Sequence, residues 1–180
     1  MYTNSNSFKS HLILGGARSG KTNFAENLAI NIGQKLQKIP IYVATAQAFD
    51  TEMEKRINIH KLERADKFKT VESPLNIAKP LLEACADDIV LIDCLTLFVS
   101  NLLCADHFDE SQIDLFRDAI KTTEAKIIIV SNETGLGIVP DNKLARHFRD
   151  IAGKLNQDVA ASVDRVTLIV AGLPLLLKGS

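Results

Sequence analysis

The stretch Gly15-Gly16-Ala17-Arg18-Ser19-Gly20-Lys21-Thr22 constrains this chain more than any other, because it satisfies the phosphate-loop pattern of Gly, four residues, Gly-Lys-Thr. The pattern has mechanical meaning only between a strand and a helix. An apolar run, Leu12-Ile13-Leu14, precedes it, and Phe24, Leu28 and Ile32 follow at helical spacing over residues 23–36. In that setting backbone N–H groups of the turn and of the first helical turn converge on anionic oxygens, with the helix dipole adding favourable potential. Lys21 reaches the β- and γ-phosphates of a bound triphosphate, and the Thr22 hydroxyl is a ligand for Mg²⁺.

At 180 residues the chain is long enough to bury a core without disulfides or a structural metal, so a single domain over residues 10–180 is expected. Residues 1–9, rich in Ser and Asn, read as a frayed tail. A net charge of -1 argues against a nucleic-acid partner gripped by a basic surface. Cys85, Cys94 and Cys104 lack paired spacing and lie in apolar surroundings, which reads as reduced, mostly buried residues of a cytoplasmic protein. No apolar run approaches the roughly 18 residues of a membrane span.

A second strand is expected at Ile41-Tyr42-Val43-Ala44-Thr45. Strand, helix, strand at this spacing implies a parallel pair, hence an α/β fold with ligands at the carboxyl ends of the strands. Ala44, Thr45 and Ala46 stand at that end, small enough for close ligand approach or simply a connecting loop. A capping box, Thr51 with Glu54, opens a helix to about residue 64 on which Glu52, Arg56, His60 and Arg64 form one polar stripe. By spacing alone such a stripe is a solvated face. Residues 68–71 suggest a short strand and 75–85 a helix. Ile89-Val90-Leu91-Ile92 is a strand ending in Asp93, a carboxylate placed either to help hold Mg²⁺ or to cap the helix expected over 94–103. A helix over 109–123 precedes the all-apolar strand 126–130. The loop over 131–140 is long enough to read a substrate, and Asp141 or Asn142 caps a helix to about 162. Residues 166–170 form a final strand, and 172–180 a tail.

Together these features describe a nucleoside triphosphate site with Mg²⁺ and phosphoryl transfer by positioning and charge neutralisation. Several motifs then narrow the reading: Gly-Gly-Ala-Arg-Ser-Gly-Lys, the Ala44-Thr45-Ala46 turn, Glu52-Met53-(x2)-Arg56-Ile57-(x2)-His60, and Asn132-Glu133-Thr134-Gly135-(x)-Gly137-Ile138-Val139-Pro140. With Arg146-His147-Phe148-Arg149-Asp150-Ile151-Ala152-Gly153-(x2)-Asn156-Gln157, they make the chain resemble the bifunctional adenosylcobinamide kinase / adenosylcobinamide-phosphate guanylyltransferase family over most of its length.

That resemblance implies a RecA-like phosphate-loop NTPase fold with a mainly parallel central sheet flanked by helices, assembled as a homotrimer. It implies phosphorylation of adenosylcobinamide by ATP or GTP, then transfer of GMP from GTP onto adenosylcobinamide phosphate. The position matching the guanylylated histidine is His60, which replaces the solvated-face reading of the stripe. Arg56 and Arg64, a turn to either side, would neutralise phosphate oxygens and favour the unprotonated imidazole. Residues 15–22, Ala44, Thr45, Ala46, Lys61, Leu62, Glu63, Arg64, Glu72 and Asp93 would line the nucleotide site, with Asn132 and Glu133 as further phosphate or substrate contacts. The chain departs from the family's usual residues at Thr22, commonly Ser, at Ala65, commonly Pro, and at Asp93, where several members carry Glu. His147 is read as structural.

Overall fold

The computed structural model describes residues 8–47, 61, 64, 66–105 and 108–179. Seven strands and five helices alternate along the described chain: β1 (Ser10–Gly15), α1 (Lys21–Leu36), β2 (Ile41–Ala44), β3 (Lys69–Glu72), α2 (Ala78–Leu82), β4 (Ile89–Asp93), α3 (Leu95–Cys104), α4 (Ser111–Thr122), β5 (Lys126–Asn132), α5 (Lys143–Ser162), β6 (Arg165–Val170) and β7 (Leu173–Lys178). One sheet holds them in the order β3-β2-β4-β5-β1-β6-β7. Its pairs are parallel except for β6 with β7.

The near-continuous apolar strands exist because both sheet faces are covered. Along β1, β4 and β5 alternate side chains separate onto two cores. Leu12, Val90, Ile92, Ile127 and Ile129 join Phe98, Phe116, Leu155 and Val159 on the side of α3, α4 and α5. Ile13, Ile89, Leu91, Ile128 and Val130 join Ala25, Ala29 and Ile32 of α1 on the other. Phe98 and Phe116 are fully buried and meet edge-on, with ring centroids 6.3 Å apart.

Several elements differ from their sequence expectations. Residues 172–180 do not form a tail: Leu173–Lys178 is an antiparallel edge strand entered through Ala171 and Gly172, both at positive φ. Its leucines lack an alternating pattern because the strand is exposed on both sides, and Pro174 is tolerated at the sheet edge. The expected helix over 75–85 shortens to Ala78–Leu82. β5 runs to Asn132, two residues into the expected loop. β2 stops at Ala44, leaving Thr45 outside. Asn142, not Asp141, caps α5, its side chain accepting from the Leu144 and Ala145 amides. Cys85 and Cys104 are exposed and only Cys94 is buried, because the first two sit in a turn and on a helix end. The expected frayed tail does not hold for Phe8, which is buried, or for Lys9, whose amide donates to Asp164; residues 1–7 lie outside the described residues.

The parallel registers align the carboxyl ends of the strands. Ala44 faces Glu72 on one side and Asp93 on the other, and Gly15 faces Asn132 and Ile169. The sequence-derived site residues on these strands therefore share one edge of the sheet.

Candidate nucleotide site

At that edge the chain leaves β1 at Gly15, turns, and enters α1 at Lys21. Gly15 is obligatory: a Cβ there would lie 2.4 Å from Ser19 Oγ and 2.8 Å from the Ile169 carbonyl. Arg18 and Gly20 take positive φ, 56° and 93°, and the Ser19 amide closes the loop on the Gly16 carbonyl at 3.2 Å. Gly20 offers α1 no side-chain cap, and the first turn holds no acidic residue. The amino-terminal amides of the helix are thus left to an anion. Lys21 is buried, 8% exposed, and its Nζ donates to the Gly16 carbonyl at 3.1 Å, so the ammonium is folded over the loop. Gly16, Ala17 and Arg18 are exposed around the turn, with Ser19 and Thr22 half-buried.

Two strands away, Asp93 ends β4. It does not cap the following helix, whose N-cap is Cys94 with no side-chain bond. Instead Asp93 Oδ2 accepts from the Tyr42 hydroxyl at 2.7 Å. Burial, reinforced by the neighbouring Asp93 charge, holds the Tyr42 phenol well above its ordinary pKa, so it stays a donor. Burial and Asp93 also push the Cys94 thiol up to about 11, opposed in small part by the Lys21 ammonium.

Thr45 has its side chain turned inward at this end of the sheet. It is fully buried, donating through Oγ1 to the Cys94 carbonyl at 2.9 Å and accepting from the Cys94 amide at 2.7 Å. Asn101, buried in the mostly apolar α3, donates to the Thr45 and Pro74 carbonyls at 2.7 and 3.0 Å. Thr96 accepts from the Asn132 amide at 2.7 Å, and Asn156 donates to the Asn132 carbonyl at 3.1 Å. These polar side chains tie the strand ends together beneath the site. Ala44 and Ala46 are half-buried beside them.

Arg64 is buried rather than solvated, its guanidinium 3.7 Å from the Tyr42 ring centroid. Lys61 pairs with the exposed Glu72 carboxylate at the end of β3. The Glu133 amide donates to the Gly15 carbonyl at 3.1 Å, while its carboxylate accepts from the Gly135 amide at 2.7 Å. Beyond it Leu136 and Ile138 are 86% and 97% exposed, and Arg146 fastens the loop exit by donating to the Pro140 and Asp141 carbonyls. His147 is exposed, edge-on to Phe108. Arg56, His60, Leu62 and Glu63 lie outside the described residues. A surface hollow of about 330 Å³, lined in part by Gly33, Pro40 and Lys67, belongs to the opposite edge of the sheet.

Sequence reasoning missed Tyr42, Thr96, Asn101 and Gly172. The polar residues of Leu95-Thr96-Leu97-Phe98-Val99-Ser100-Asn101 were the available signal for two of them, since an apolar helix keeps buried polar groups only where they are bonded.

Comparison with known proteins bears on the family and the fold. The family model described as cobinamide kinase / cobinamide phosphate guanyltransferase matches residues 11–177. The bifunctional adenosylcobalamin biosynthesis protein CobP of Pseudomonas aeruginosa is 47% identical, covering 93% of this chain and 96% of the relative. Its counterpart CobU of Salmonella typhimurium is 40% identical over 93% and 98% of the two. Among solved structures, the flagellar accessory protein FlaH of Methanocaldococcus jannaschii superimposes with a TM-score of 0.51 at 16% identity, covering 96% of this chain and 79% of that one. A Pyrococcus horikoshii OT3 protein does so with a TM-score of 0.52 at 10% identity, over 95% and 86%. These two likenesses concern the fold alone, a mainly parallel α/β sheet flanked by helices, in which β5 separates the phosphate-loop strand from the Asp93 strand. By the match over residues 11–177 and the relatives at 40% and 47% identity, the chain belongs to the cobinamide kinase / cobinamide phosphate guanyltransferase family.

Proposed function

We propose that this chain phosphorylates the hydroxyl of the aminopropanol arm of adenosylcobinamide with ATP or GTP. It then takes GMP from GTP onto His60 and passes it to the new phosphate, giving adenosylcobinamide-GDP and pyrophosphate. The observation that carries the reading is the loop itself: Lys21 folded over Gly16 and an uncapped α1 terminus facing the same space. In the first step the acceptor oxygen displaces ADP or GDP at the γ-phosphorus, with Lys21 and the loop amides neutralising the charge that develops. In the second, a neutral His60 nitrogen attacks the α-phosphorus and expels pyrophosphate, and the phosphoramidate is then cleaved by the acceptor phosphate.

Thr22 and Asp93 fit an Mg²⁺ ion carried by the nucleotide. Thr22 stands on the first turn of α1, and Asp93 has one oxygen committed to Tyr42 and, among the described residues, one left for a hydrated cation. When bound, the ion neutralises phosphate charge. The exposed loop bearing Leu136 and Ile138, fastened to Gly15 at its entry and by Arg146 at its exit, is the platform for the corrinoid acceptor. The exposed leucines of β7 support association into a homotrimer, and the three free cysteines suit a reducing cytoplasm.

Incubation with α-labelled GTP tests the covalent step. Acid-labile, base-stable label on the denatured wild-type chain and none on His60→Ala is the expected outcome. Equal labelling of the two, or none on wild type, would remove His60 from the mechanism.

A further inference from the structure

The β6–β7 hairpin reaches the back of the phosphate loop. Its turn residues Ala171 and Gly172 have φ of 51° and 78°, the mirror-image turn that matches strand twist in a short hairpin. The Gly172 amide donates to the Ser19 carbonyl at 2.9 Å. Gly20 stands so close that a Cβ on it would lie 3.4 Å from Gly172 Cα, and the Ile169 carbonyl closes over Gly15. Three points of the loop, Gly15, Ser19 and Gly20, therefore rest on β6 and its turn.

Peptide geometry gives this contact a consequence. In a planar trans peptide the C=O and the following N–H point in opposite directions. A Ser19 carbonyl held toward Gly172 therefore turns the Gly20 N–H away from the hairpin, toward the mouth of the loop. We propose that Gly172 is a positioning residue for the nucleotide: its amide holds the Ser19–Gly20 peptide so that the Gly20 N–H meets a phosphate oxygen. The proposal rests on the nucleotide reading of the loop, and it assigns the hairpin turn, which lies outside the phosphate-loop motif, a share in triphosphate affinity.

The test is GTP affinity by calorimetry on the whole chain, with KM for adenosylcobinamide and melting temperature in parallel, across Gly172→Asn, Gly172→Ala and Gly172→Val. All three retain the amide donor and differ in how well they tolerate positive φ: Asn readily, Ala at a cost, a β-branched residue worst. Among the described residues, its two chain neighbours aside, no atom stands within 4 Å of a Cβ at this position, so the series reports backbone conformation and not crowding. Gly179→Val is the control. It strains the far end of the same hairpin, at φ 92° with a Cβ 2.8 Å from the Asp164 carbonyl, without touching the loop.

The expected GTP affinities are within about two-fold of wild type for Asn, about five-fold weaker for Ala, and ten-fold or more weaker for Val. KM for adenosylcobinamide stays unchanged, and Gly179→Val lowers the melting temperature with GTP affinity intact. Unchanged affinity in Gly172→Ala and Gly172→Val, or equal weakening by Gly179→Val, overturns the positioning role. Should Gly172→Val not fold, the Asn and Ala pair decides. A wild-type chain that binds no GTP overturns the nucleotide reading itself, a result distinct from a flat mutant series.

Discussion

Tyr42 donates to the Asp93 carboxylate over 2.7 Å, from a ring that carries the Arg64 guanidinium on its face at 3.7 Å. The two residues are 51 positions apart in sequence and meet because β2 and β4 are neighbours in register. Tyr42→Phe should therefore leave Asp93 in place but poorly oriented. We expect a stability loss of about 1 kcal/mol. We also expect the Mg²⁺ concentration for half-maximal phosphoryl transfer to rise on the order of ten-fold, as for other residues that orient a metal-binding carboxylate. A magnesium titration of initial rates reads this, and an unchanged midpoint would separate Asp93 from the cation.

Acid sensitivity should trace to His11. Its imidazole is buried, with Nε2 bonded to Thr167 Oγ1 at 2.8 Å, Nδ1 without a partner among the described residues, and the Phe8 ring alongside. Burial first, and the Arg165 charge second, lower its pKa from 6.5 to about 3. The unfolded chain therefore takes up the proton first as the pH falls. The contribution is complete above pH 6.5 and is lost as the pH falls toward 3, with a limiting slope of roughly 1.4 kcal/mol per pH unit. Urea melts of His11→Gln should show a flatter decline across that window than wild type.

Asn101 holds two carbonyls at once, those of Thr45 and Pro74. Replacing it with Ala leaves both acceptors buried and should cost about 2–3 kcal/mol, whereas a solvated polar residue would cost little. Chemical denaturation measures the difference.

Gly15→Ala places a methyl against Ser19 Oγ and the Ile169 carbonyl. The backbone partner cannot yield, so we expect loss of GTP binding with the fold retained, read by calorimetry beside circular dichroism. Wild-type affinity in this variant would mean that the loop has room the geometry does not give it.

The legible parts of this molecule were those whose cause is local. The phosphate loop announces itself because turn, glycine and helix start must be contiguous. Ile89-Val90-Leu91-Ile92 reads as a strand because covering both faces removes every polar position. The edge strand Leu173–Lys178 escaped because exposed leucines obey no face alternation, although the glycine at 172 marked its turn. Asp93 was read as a site residue, yet its partner Tyr42 was invisible, since only strand order brings the two together. Thr45 read as a small residue open to ligand or as plain connecting loop, and its buried tie to Cys94 was not legible, since that depends on rotamer and not on residue type.

The central claim is that one phosphate loop serves both a kinase and a guanylyl transfer. Supplying the chain with adenosylcobinamide, GTP and Mg²⁺ and following corrinoid products together with pyrophosphate addresses it directly. The account predicts adenosylcobinamide phosphate followed by adenosylcobinamide-GDP, one pyrophosphate per GMP transferred, and loss of both products in Lys21→Ala. Guanylyl transfer at the wild-type rate in Lys21→Ala, or binding of GTP without either product in the wild type, would contradict it.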